Sequence, residues 1–342
     1  MTNTIKYQLY GASLEELQNI CGTLGLPRFA HKQIAKWLYS RFVTDIDAMT
    51  DLSKAARETL KMHCDLGLSA PLKVSESVDG TKKYLFRTLQ GEHIESALIP
   101  DGERMTLCVS SQAGCKMGCK FCATGRMGFR HHLTSTEIIN QIISIPERDK
   151  LTNLVFMGMG EPLDNIDNLM RTLSILTSEW GLAWSPTRIT VSTAGVARTL
   201  PRLLDESKVH IAVSLHNPFP EERKEIMPIE NSYSIKEVCD ILRRYDFTHQ
   251  RRVSFEYIVL EGMNCSMRHI KELSRLLDGI KCRINLIRFH KIPDSPFYSP
   301  ELEKIIEFRD TLTKRGIQTT LRASRGEDIE AACGLLSTAE KK

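Results

Sequence analysis

The most restrictive feature of this sequence is an alternation of apolar and amphipathic segments that begins near Thr106. Seven apolar segments have the length of β-strands, and they are TLCVSS, NLVFMG, RITVST, VHIAVSL, VSFEYIVL, CRINLIRF and IQTTLRAS. Helical patterns such as TEIINQIISI and MRHIKELSRLLDG lie between them. Apolar strands that alternate with helices predict an α/β fold, with a parallel sheet curled into a full or partial barrel.

The residues before the barrel follow two other patterns. Ser13 and Glu16 form a capping box before a helical pattern, and two more amphipathic segments follow it. Between about residues 72 and 110 the period changes to two, with Asp79 and Gly80 at a hairpin turn. We predict an N-terminal helical accessory domain at residues 1–70, a β-hairpin or linker at 71–104, and the barrel at 105–342.

The N-terminal sequence and the cysteine content bear on the cellular compartment. MTNTIKYQLYGASLEEL has no basic-then-apolar signal pattern, and no apolar run approaches the ~18–20 residues of a membrane span. We therefore expect a cytoplasmic protein with no membrane partner. In a reducing compartment, clustered cysteines bind metal or do chemistry, whereas isolated ones fill the core. The isolated cysteines that we expect to be inert are Cys21, Cys64, Cys239, Cys265 and Cys282.

Charge gives a local rather than a global indication of a partner. The net charge is only +4, so a general attraction to nucleic acid is weak. Basic side chains do surround the clustered cysteines, and such a cluster is either a solvated face or a site for a polyanionic substrate. Its members are Lys116, Lys120, Arg126, Arg130, His131 and His132.

Polar residues and glycines stand where the predicted strands end. They are Gly160 and Glu161 after the second barrel strand, Ser192 at the third, Ser214 and His216 at the fourth, and His290 at the sixth. A cysteine cluster follows the first strand. Because (β/α) barrels build their sites at the carboxyl ends of the strands, these residues predict one active site.

The cysteine cluster consists of Cys115, Cys119 and Cys122 in the spacing C-x3-C-x2-C. Three thiolates would leave one iron of a [4Fe–4S] cluster open to a small molecule, as a catalytic metal requires. The alternative is a zinc site with His131 or His132 as the fourth ligand, although the paired spacing of zinc ribbons is missing. Cys108, a fourth cysteine just upstream, has the features of a core residue on a strand.

These motifs resemble the radical S-adenosylmethionine superfamily, because an aromatic residue precedes the last cysteine and GMGEP is similar to the segment that holds the cofactor's amine. The motifs TLCVSSQAGCKMGCKFCATG, GMGEPLDN, ITVSTAGV, AVSLHNP, INLI and RGEDIEAACG resemble, in their order, the RlmN/Cfr family of RNA adenine methyltransferases. The resemblance covers essentially the whole chain. It implies a partial (β/α)6-type radical-SAM barrel with an N-terminal helical, RNA-binding accessory domain and a β-hairpin extension.

The resemblance also implies the cofactors and their ligands. One [4Fe–4S] cluster per chain would be bound by Cys115, Cys119 and Cys122, and two S-adenosylmethionine (SAM) molecules would be used per turnover. The implied SAM contacts are Gly160, Glu161, Ser192, Ser214, Leu215, His216 and His290. His290 stands where many members of the family have Asn, so this contact departs from the family's pattern.

Three further residues take chemical roles only through the resemblance. Cys333 would be methylated by one SAM, and a radical from the second SAM would take a hydrogen from that methyl group. The resulting carbon radical would add to C2 of an adenine. Glu95 would accept the C2 proton, and Cys108 would attack the Cys333 sulfur, releasing the product and leaving a Cys108–Cys333 disulfide.

The implied partners are RNA and two external reductants. The RNA would be 23S rRNA at the peptidyl transferase centre, and also some tRNAs at the adenine 3′ of the anticodon. A flavodoxin or ferredoxin would donate electrons, a thiol reductant would reopen the disulfide, and the enzyme would act as a monomer. The alternatives are a C8-adenine methyltransferase of the antibiotic-resistance type and a non-catalytic iron–sulfur factor for RNA binding or ribosome assembly. The segment Arg325–Asp328 before Cys333 favours the C2 enzyme.

Overall fold

Two of the three N-terminal helices begin at serine side-chain caps. The computed structural model describes residues 6–248, 251–293 and 295–337, so parts of the predicted ranges 1–70 and 105–342 lie outside the described residues. Ser13 Oγ accepts a hydrogen bond from the Glu16 N–H (3.1 Å), and Glu16 Oε2 accepts one from the Ser13 N–H (2.8 Å), which confirms the predicted capping box. The elements of this unit are β1 (Tyr7–Gln8), α1 (Leu14–Thr23), α2 (Ala30–Tyr39), α3 (Lys54–His63) and β2 (Cys64–Asp65).

An antiparallel meander connects this unit to the barrel. Its strands are β3 (Lys73–Glu76), β4 (Lys82–Arg87), β5 (His93–Asp101) and β6 (Arg104–Cys108). The turn between β3 and β4 contains Asp79 and Gly80, as predicted, and Asp79 Oδ1 accepts a hydrogen bond from the Thr81 N–H (2.9 Å). The period-two pattern therefore corresponds to strands of the main sheet rather than to a separate hairpin.

The barrel follows with alternating strands and helices. Its first elements are β7 (Gln112–Gly114), α4 (Ala123–Arg126), β8 (Phe129–His132), α5 (Ser135–Ile143), β9 (Asn153–Phe156), α6 (Ile166–Thr177), β10 (Ile189–Thr193), α7 (Leu200–Glu206), β11 (His210–Ser214) and α8 (Pro220–Ile226). The remaining elements are α9 (Ile235–Leu242), β12 (Val253–Val259), α10 (Met267–Leu276), β13 (Cys282–Arg288), α11 (Leu302–Lys314) and β14 (Gln318–Leu321). Across the part of the chain that the structure describes, no helix has the length and apolar character needed to cross a membrane.

Ten strands of the described residues form one sheet in the order β14-β13-β12-β11-β10-β9-β6-β5-β4-β3. The neighbours from β6 to β14 are parallel, and β3 to β6 are antiparallel. The two end strands, β3 and β14, are not hydrogen-bonded to each other, so the barrel is open. All seven predicted barrel strands are present, and the prediction of a partial barrel is confirmed.

Three helices were not predicted from the sequence patterns. They are α4, α7 and α8, which have four to seven residues, and α7 and α8 carry proline in their first turn. A helix of two turns shows too few repeats of the apolar spacing to be distinguished from a loop. The small antiparallel pair of β7 and β8 was also not predicted, because its strands are only three and four residues long.

Helix α5 connects the accessory unit to the residues that follow β6, at the carboxyl end of that strand. At its first turn, Ser135 Oγ donates to the Gly11 carbonyl (2.6 Å) and Thr136 Oγ1 donates to the Tyr10 carbonyl (2.8 Å). Near its other end, Gln141 accepts a hydrogen bond from the Ser110 N–H (2.9 Å) and donates one to the Ser110 carbonyl (3.0 Å). The helix therefore has the N-terminal unit at one end and the residues after β6 at the other.

A fully buried arginine connects the carboxyl ends of two central strands. The Arg223 side chain is 0% exposed and forms an ion pair with Glu230. Its remaining N–H groups donate to three backbone carbonyls at the ends of β10 and β11, which are those of Ala194 (2.8 Å), Ser214 (2.8 Å) and Leu215 (2.9 Å). Removal of the guanidinium would leave the Glu230 carboxylate buried without its partner.

We expect Arg223→Met to lower the free energy of unfolding by about 3–5 kcal/mol, the usual cost of breaking one side of a buried ion pair. The double variant Arg223→Met/Glu230→Gln should lose less, because no unpaired charge then remains in the core. Chemical denaturation of the three proteins measures this difference. A single variant within about 1 kcal/mol of the parent would contradict the assignment.

Candidate active site

The carboxyl ends of the parallel strands surround one cavity of about 930 Å³, a volume that includes its open mouth. Nine of the residues predicted from the sequence line it, and they are Cys115, Cys119, Cys122, Gly160, Glu161, Ser192, Ser214, His216 and Cys333. The structure thus brings together residues that are up to about two hundred positions apart in the chain. Four other predicted residues, Cys108, His290, Leu215 and Glu95, lie elsewhere.

The three clustered cysteines form one wall of this cavity. Burial raises the pKa of the Cys115 thiol to about 12, and it also raises the pKa of Cys119 and of Cys122. The loop turns tightly because Gly114 has a φ of 71°, and a Cβ there would lie 1.8 Å from the Gly128 carbonyl oxygen. Buried thiols of this kind ionise when they bind a metal centre.

The arrangement fits an iron–sulfur cluster better than a single ion. Among the described residues, no group of three or more His, Cys, Asp or Glu side chains is placed to hold a metal ion. The three thiols instead line a wide cavity, as a cluster with its own sulfides requires. Neither His131 nor His132, the fourth ligands considered for a zinc site, lines that cavity.

Gly160 and Glu161 line the same cavity as the thiols. Gly160 has a φ of 98°, and a Cβ on it would lie 2.5 Å from the Gln112 Cβ, so only glycine fits this position. Glu161 accepts hydrogen bonds from the N–H groups of Ala194 (2.7 Å) and Leu163 (3.0 Å). Burial raises the pKa of the Glu161 carboxyl to about 7. A cationic ligand such as an ammonium group would favour its ionised form.

His216 contributes a neutral imidazole to the cavity. Burial, followed by the charge of Arg223, lowers the pKa of His216 to about 3. Its Nδ1 accepts a hydrogen bond from the Ile258 N–H (2.9 Å), so Nε2 carries the proton. The ring packs edge-to-face on Phe121 of the cysteine loop, with centroids 4.7 Å apart. Its neighbour Leu215 is fully buried and does not line the cavity.

A second cavity adjoins the first, and Cys333 lines both. Cys108 lines the second cavity, so the two predicted redox cysteines face the same space. Burial raises the pKa of Cys108 to about 12. Part of the Cys333 residue is exposed, yet its thiol has enough protein around it that desolvation raises its pKa too. His290 lines this second cavity but not the first, and its Nε2 is hydrogen-bonded to Ser324 Oγ (2.9 Å), so the structure separates it from the other predicted SAM contacts.

Two charged residues of the site were missed by the sequence analysis. Arg322 lines both cavities, and its positive charge lowers the pKa of Cys108 and Cys333. Its Nη1 donates to Glu256 Oε2 (3.3 Å), and Glu256 also lines the first cavity. Two signals were present, since Arg322 directly follows the seventh barrel strand and Glu256 is an acid within the apolar strand β12.

Glu95 lies on β5, beside the strand that carries Cys108. The next inward-facing residue, Ala97, pairs with Cys108 across the sheet. The Glu95 carboxylate lies 3.0 Å from Lys83 Nζ and accepts a hydrogen bond from the Ser337 N–H (2.9 Å). Glu95 therefore lies near the predicted redox cysteines but lines neither of the two cavities.

The segment that carries Cys333 is anchored on both sides. Before it, a set of contacts that we call the hairpin clasp joins the β3–β4 turn to residues 326–328. In the clasp, Asp79 Oδ2 accepts from the Gly326 N–H (2.9 Å), and Asp328 Oδ1 accepts from Ser77 Oγ (2.6 Å). After Cys333, the Gly334 carbonyl accepts from the Ala123 N–H (2.8 Å) and the Leu336 carbonyl accepts from Thr124 Oγ1 (2.6 Å).

Comparison with known proteins identifies the family. A protein of Bacteroides fragilis named "Probable dual-specificity RNA methyltransferase RlmN" is 56% identical over 337 residues, which cover 98% of this chain and 98% of that protein. The chain belongs to the RlmN family. The "Dual-specificity RNA methyltransferase RlmN" of Syntrophus aciditrophicus is 41% identical over 95% of this chain and 94% of its own length.

Family models and a solved structure agree with RlmN membership. The model of the radical SAM superfamily matches residues 109–277, and the model of the ribosomal RNA large subunit methyltransferase N-terminal domain matches residues 7–66. The crystal structure of a radical SAM methyltransferase from Sphaerobacter thermophilus superposes with a TM-score of 0.90 at 42% identity, covering 96% of this chain and 99% of that one. The protein is therefore a radical SAM RNA methyltransferase of the RlmN type, a family that implies a [4Fe–4S] cluster and SAM.

The three cavity thiols generate a test of cluster binding. The anaerobically reconstituted protein should contain about four iron and four sulfide per chain, and Cys119→Ala should lose most of both. Cys239→Ala is the matched control, since Cys239 is equally buried but lies in α9 and lines neither cavity. Stoichiometric zinc in the parent protein, or an equal loss of iron in both variants, would contradict the assignment.

Proposed function

We propose that this RlmN-family enzyme methylates C2 of an adenine in 23S rRNA, and the adenine 3′ of the anticodon in some tRNAs. The observation that carries the proposal is the position of Cys333, which lines both the cavity of the three thiols and the cavity of Cys108. A residue that receives a methyl group in one space and is attacked by a thiol in the other needs this shared boundary. The names of the relatives, which describe dual-specificity RNA methyltransferases, support two classes of RNA substrate.

The chemistry of adenine explains why a methyl-carrying cysteine is needed. C2 is an electrophilic aromatic carbon without a lone pair, so it cannot attack the sulfonium of SAM directly. When bound, the cluster and SAM supply a radical that can take hydrogen from a methyl group. Cys115, Cys119 and Cys122 would hold the cluster, and the SAM contacts would be Gly160, Glu161, Ser192, Ser214, Leu215, His216 and His290.

Three side chains then carry the reaction. The S-methyl group on Cys333, as a carbon radical, would add to C2 and join enzyme and RNA covalently. Glu95 would accept the C2 proton, and the radical adduct would give up its unpaired electron to a one-electron acceptor, a role that the oxidised iron–sulfur cluster could fill. The Cys108 thiolate would attack the Cys333 sulfur, so that an S–S bond forms, the S–CH2 bond breaks, and its electron pair leaves on the carbon and is protonated to give the methyl group. Formation of the disulfide is a two-electron oxidation of the two cysteines. An external thiol reductant is therefore needed to restore both thiols for the next turnover.

The positive charge of Arg322 would assist these reaction steps. Both redox thiols are protonated at neutral pH because burial raises the pKa of each. A guanidinium that borders both cavities favours the thiolate of whichever cysteine must act. The same charge is balanced by Glu256, which keeps it in place between the two spaces.

RNA would reach the site with the target adenine flipped out of its stack, since C2 is otherwise inaccessible. The N-terminal helical domain at 1–70 and basic residues at the rim would contact phosphates. The segment 71–104 would contribute Glu95, the proposed proton acceptor. Two rim residues are already engaged, because Lys116 pairs with Asp164 (3.0 Å) and Arg126 donates to the Pro293 carbonyl. We propose that the enzyme acts as a monomer with a flavodoxin or ferredoxin as its electron donor.

The product nucleoside tests the proposal. The reconstituted enzyme, incubated with 23S rRNA or tRNA, SAM and a reductant, should yield 2-methyladenine by mass spectrometry of digested RNA. 8-Methyladenine would instead support the C8 enzyme of the antibiotic-resistance type. Absence of both methylation and SAM cleavage would support the non-catalytic RNA-binding or assembly factor.

Cys108→Ala should trap the covalent protein–RNA adduct, because the thiol that releases the product is missing. Denaturing gels of reactions with labelled RNA should show the adduct in this variant and little of it in the parent. Cys282→Ala, in which a half-buried cysteine at the start of β13 is removed, is the control and should turn over normally. Free methylated RNA and repeated turnover by Cys108→Ala would refute the resolving role.

A further inference from the structure

The Glu95 carboxylate lies beside an ammonium group to which the reaction described above gives no role. Lys83 Nζ lies 3.0 Å from Glu95 Oε1, and the two side chains are only 13% and 7% exposed. Leu85 of β4 pairs with Glu95 of β5, and Lys83 stands two residues from Leu85. Side chains two residues apart on a strand point to the same face, so Lys83 and Glu95 form a diagonal cross-strand pair fixed by the sheet.

The two oxygens of the Glu95 carboxylate have partners of different kinds. Oε1 faces Lys83, which belongs to the same sheet. Oε2 accepts a hydrogen bond from the Ser337 N–H (2.9 Å), which belongs to the C-terminal segment after the last strand. The Ser337 contact can therefore be released without disturbing the sheet, whereas the Lys83 contact cannot. Release of the Ser337 N–H would free Oε2, and not Oε1, to take a proton.

The charges around Glu95 act in opposite directions. Burial raises the pKa of its carboxyl, and the negative charge of Glu330 on the C-terminal segment raises it further. Lys83, from β4, lowers that pKa, and so does the Ser337 N–H. When an approaching substrate displaces the Ser337 N–H, Lys83 is the remaining group that favours the carboxylate form. A base must be in that form before it can accept a proton.

We propose that Lys83 is a positioning residue for the methyl transfer, which holds Oε1 of Glu95 and keeps the carboxylate ionised so that Oε2 can take the C2 proton of the RNA adduct. The inference rests on the proposed function, in which Glu95 is the base. The step is a proton transfer: the C2–H bond breaks, its electron pair stays in the purine ring, and an O–H bond forms at Oε2. It consumes no oxidant or reductant of its own.

The test isolates this step in the Cys108→Ala holoenzyme, where the adduct accumulates. RNA with deuterium at adenine C2 is used, and mass spectrometry follows deuterium loss from the trapped adduct over a pH series. Lys83→Met should form the adduct in normal amount, lose deuterium at least about tenfold more slowly at neutral pH, and shift the acidic limb of the profile to higher pH. Lys83→Arg should restore the parent profile, because it keeps the positive charge.

Lys82→Met is the matched control. Lys82 precedes Lys83 on β4, points to the opposite face and pairs with Glu147 (2.9 Å), so its removal also breaks an ion pair of this strand. It should leave deuterium loss unchanged. If Lys83→Met follows the parent profile while Glu95→Gln retains its deuterium, the role of Lys83 is wrong and the base stands. If Glu95→Gln loses deuterium like the parent, or no adduct forms, the proposed function fails, and this inference fails with it.

Discussion

The buried guanidinium of Arg223 is the interaction on which the rest of the site depends. Parallel strands end in carbonyl groups that lack partners in the sheet, and a cavity can open there only if something else satisfies them. Arg223 does so for β10 and β11 and is neutralised by Glu230. Its charge also favours the ionised form of the Cys119 thiol. One side chain thus stabilises the strand ends and prepares the thiol wall.

The two cavities divide the chemistry of the site by position. The first brings together the thiols, which suit a metal cluster, with a carboxylate that suits the ammonium group of SAM and a neutral imidazole. The second contains Cys108 and borders the sheet that carries Glu95. Cys333 belongs to both because its segment is fastened before it by the hairpin clasp and after it by Ala123 and Thr124 of the cysteine loop. These anchors hold the thiol at the boundary without closing either space.

The sequence predicted those features that depend on local patterns. All seven barrel strands and the capping box of α1 could be predicted, because apolar periodicity and cap chemistry are encoded within a few residues. The polar residues at strand ends also converge, because parallel strands share one edge. Arg223, Arg322 and Lys83 could not be assigned, since each acts through partners brought near by tertiary packing. His290 follows a barrel strand yet lines the second cavity, so its place after a strand does not determine which cavity it faces.

Helix α5 sets the spacing between the accessory unit and the residues that follow β6. Ser135 and Gln141 are six residues apart, so the helix separates the docking point of the accessory unit from Ser110 by about 9 Å at ~1.5 Å per residue. Ser110 Oγ in turn donates to the Glu95 carbonyl (2.5 Å). The length of the helix is therefore constrained, because one added residue would rotate Gln141 by about 100° away from Ser110. The number of residues in α5 therefore also sets the distance between the accessory unit and Glu95.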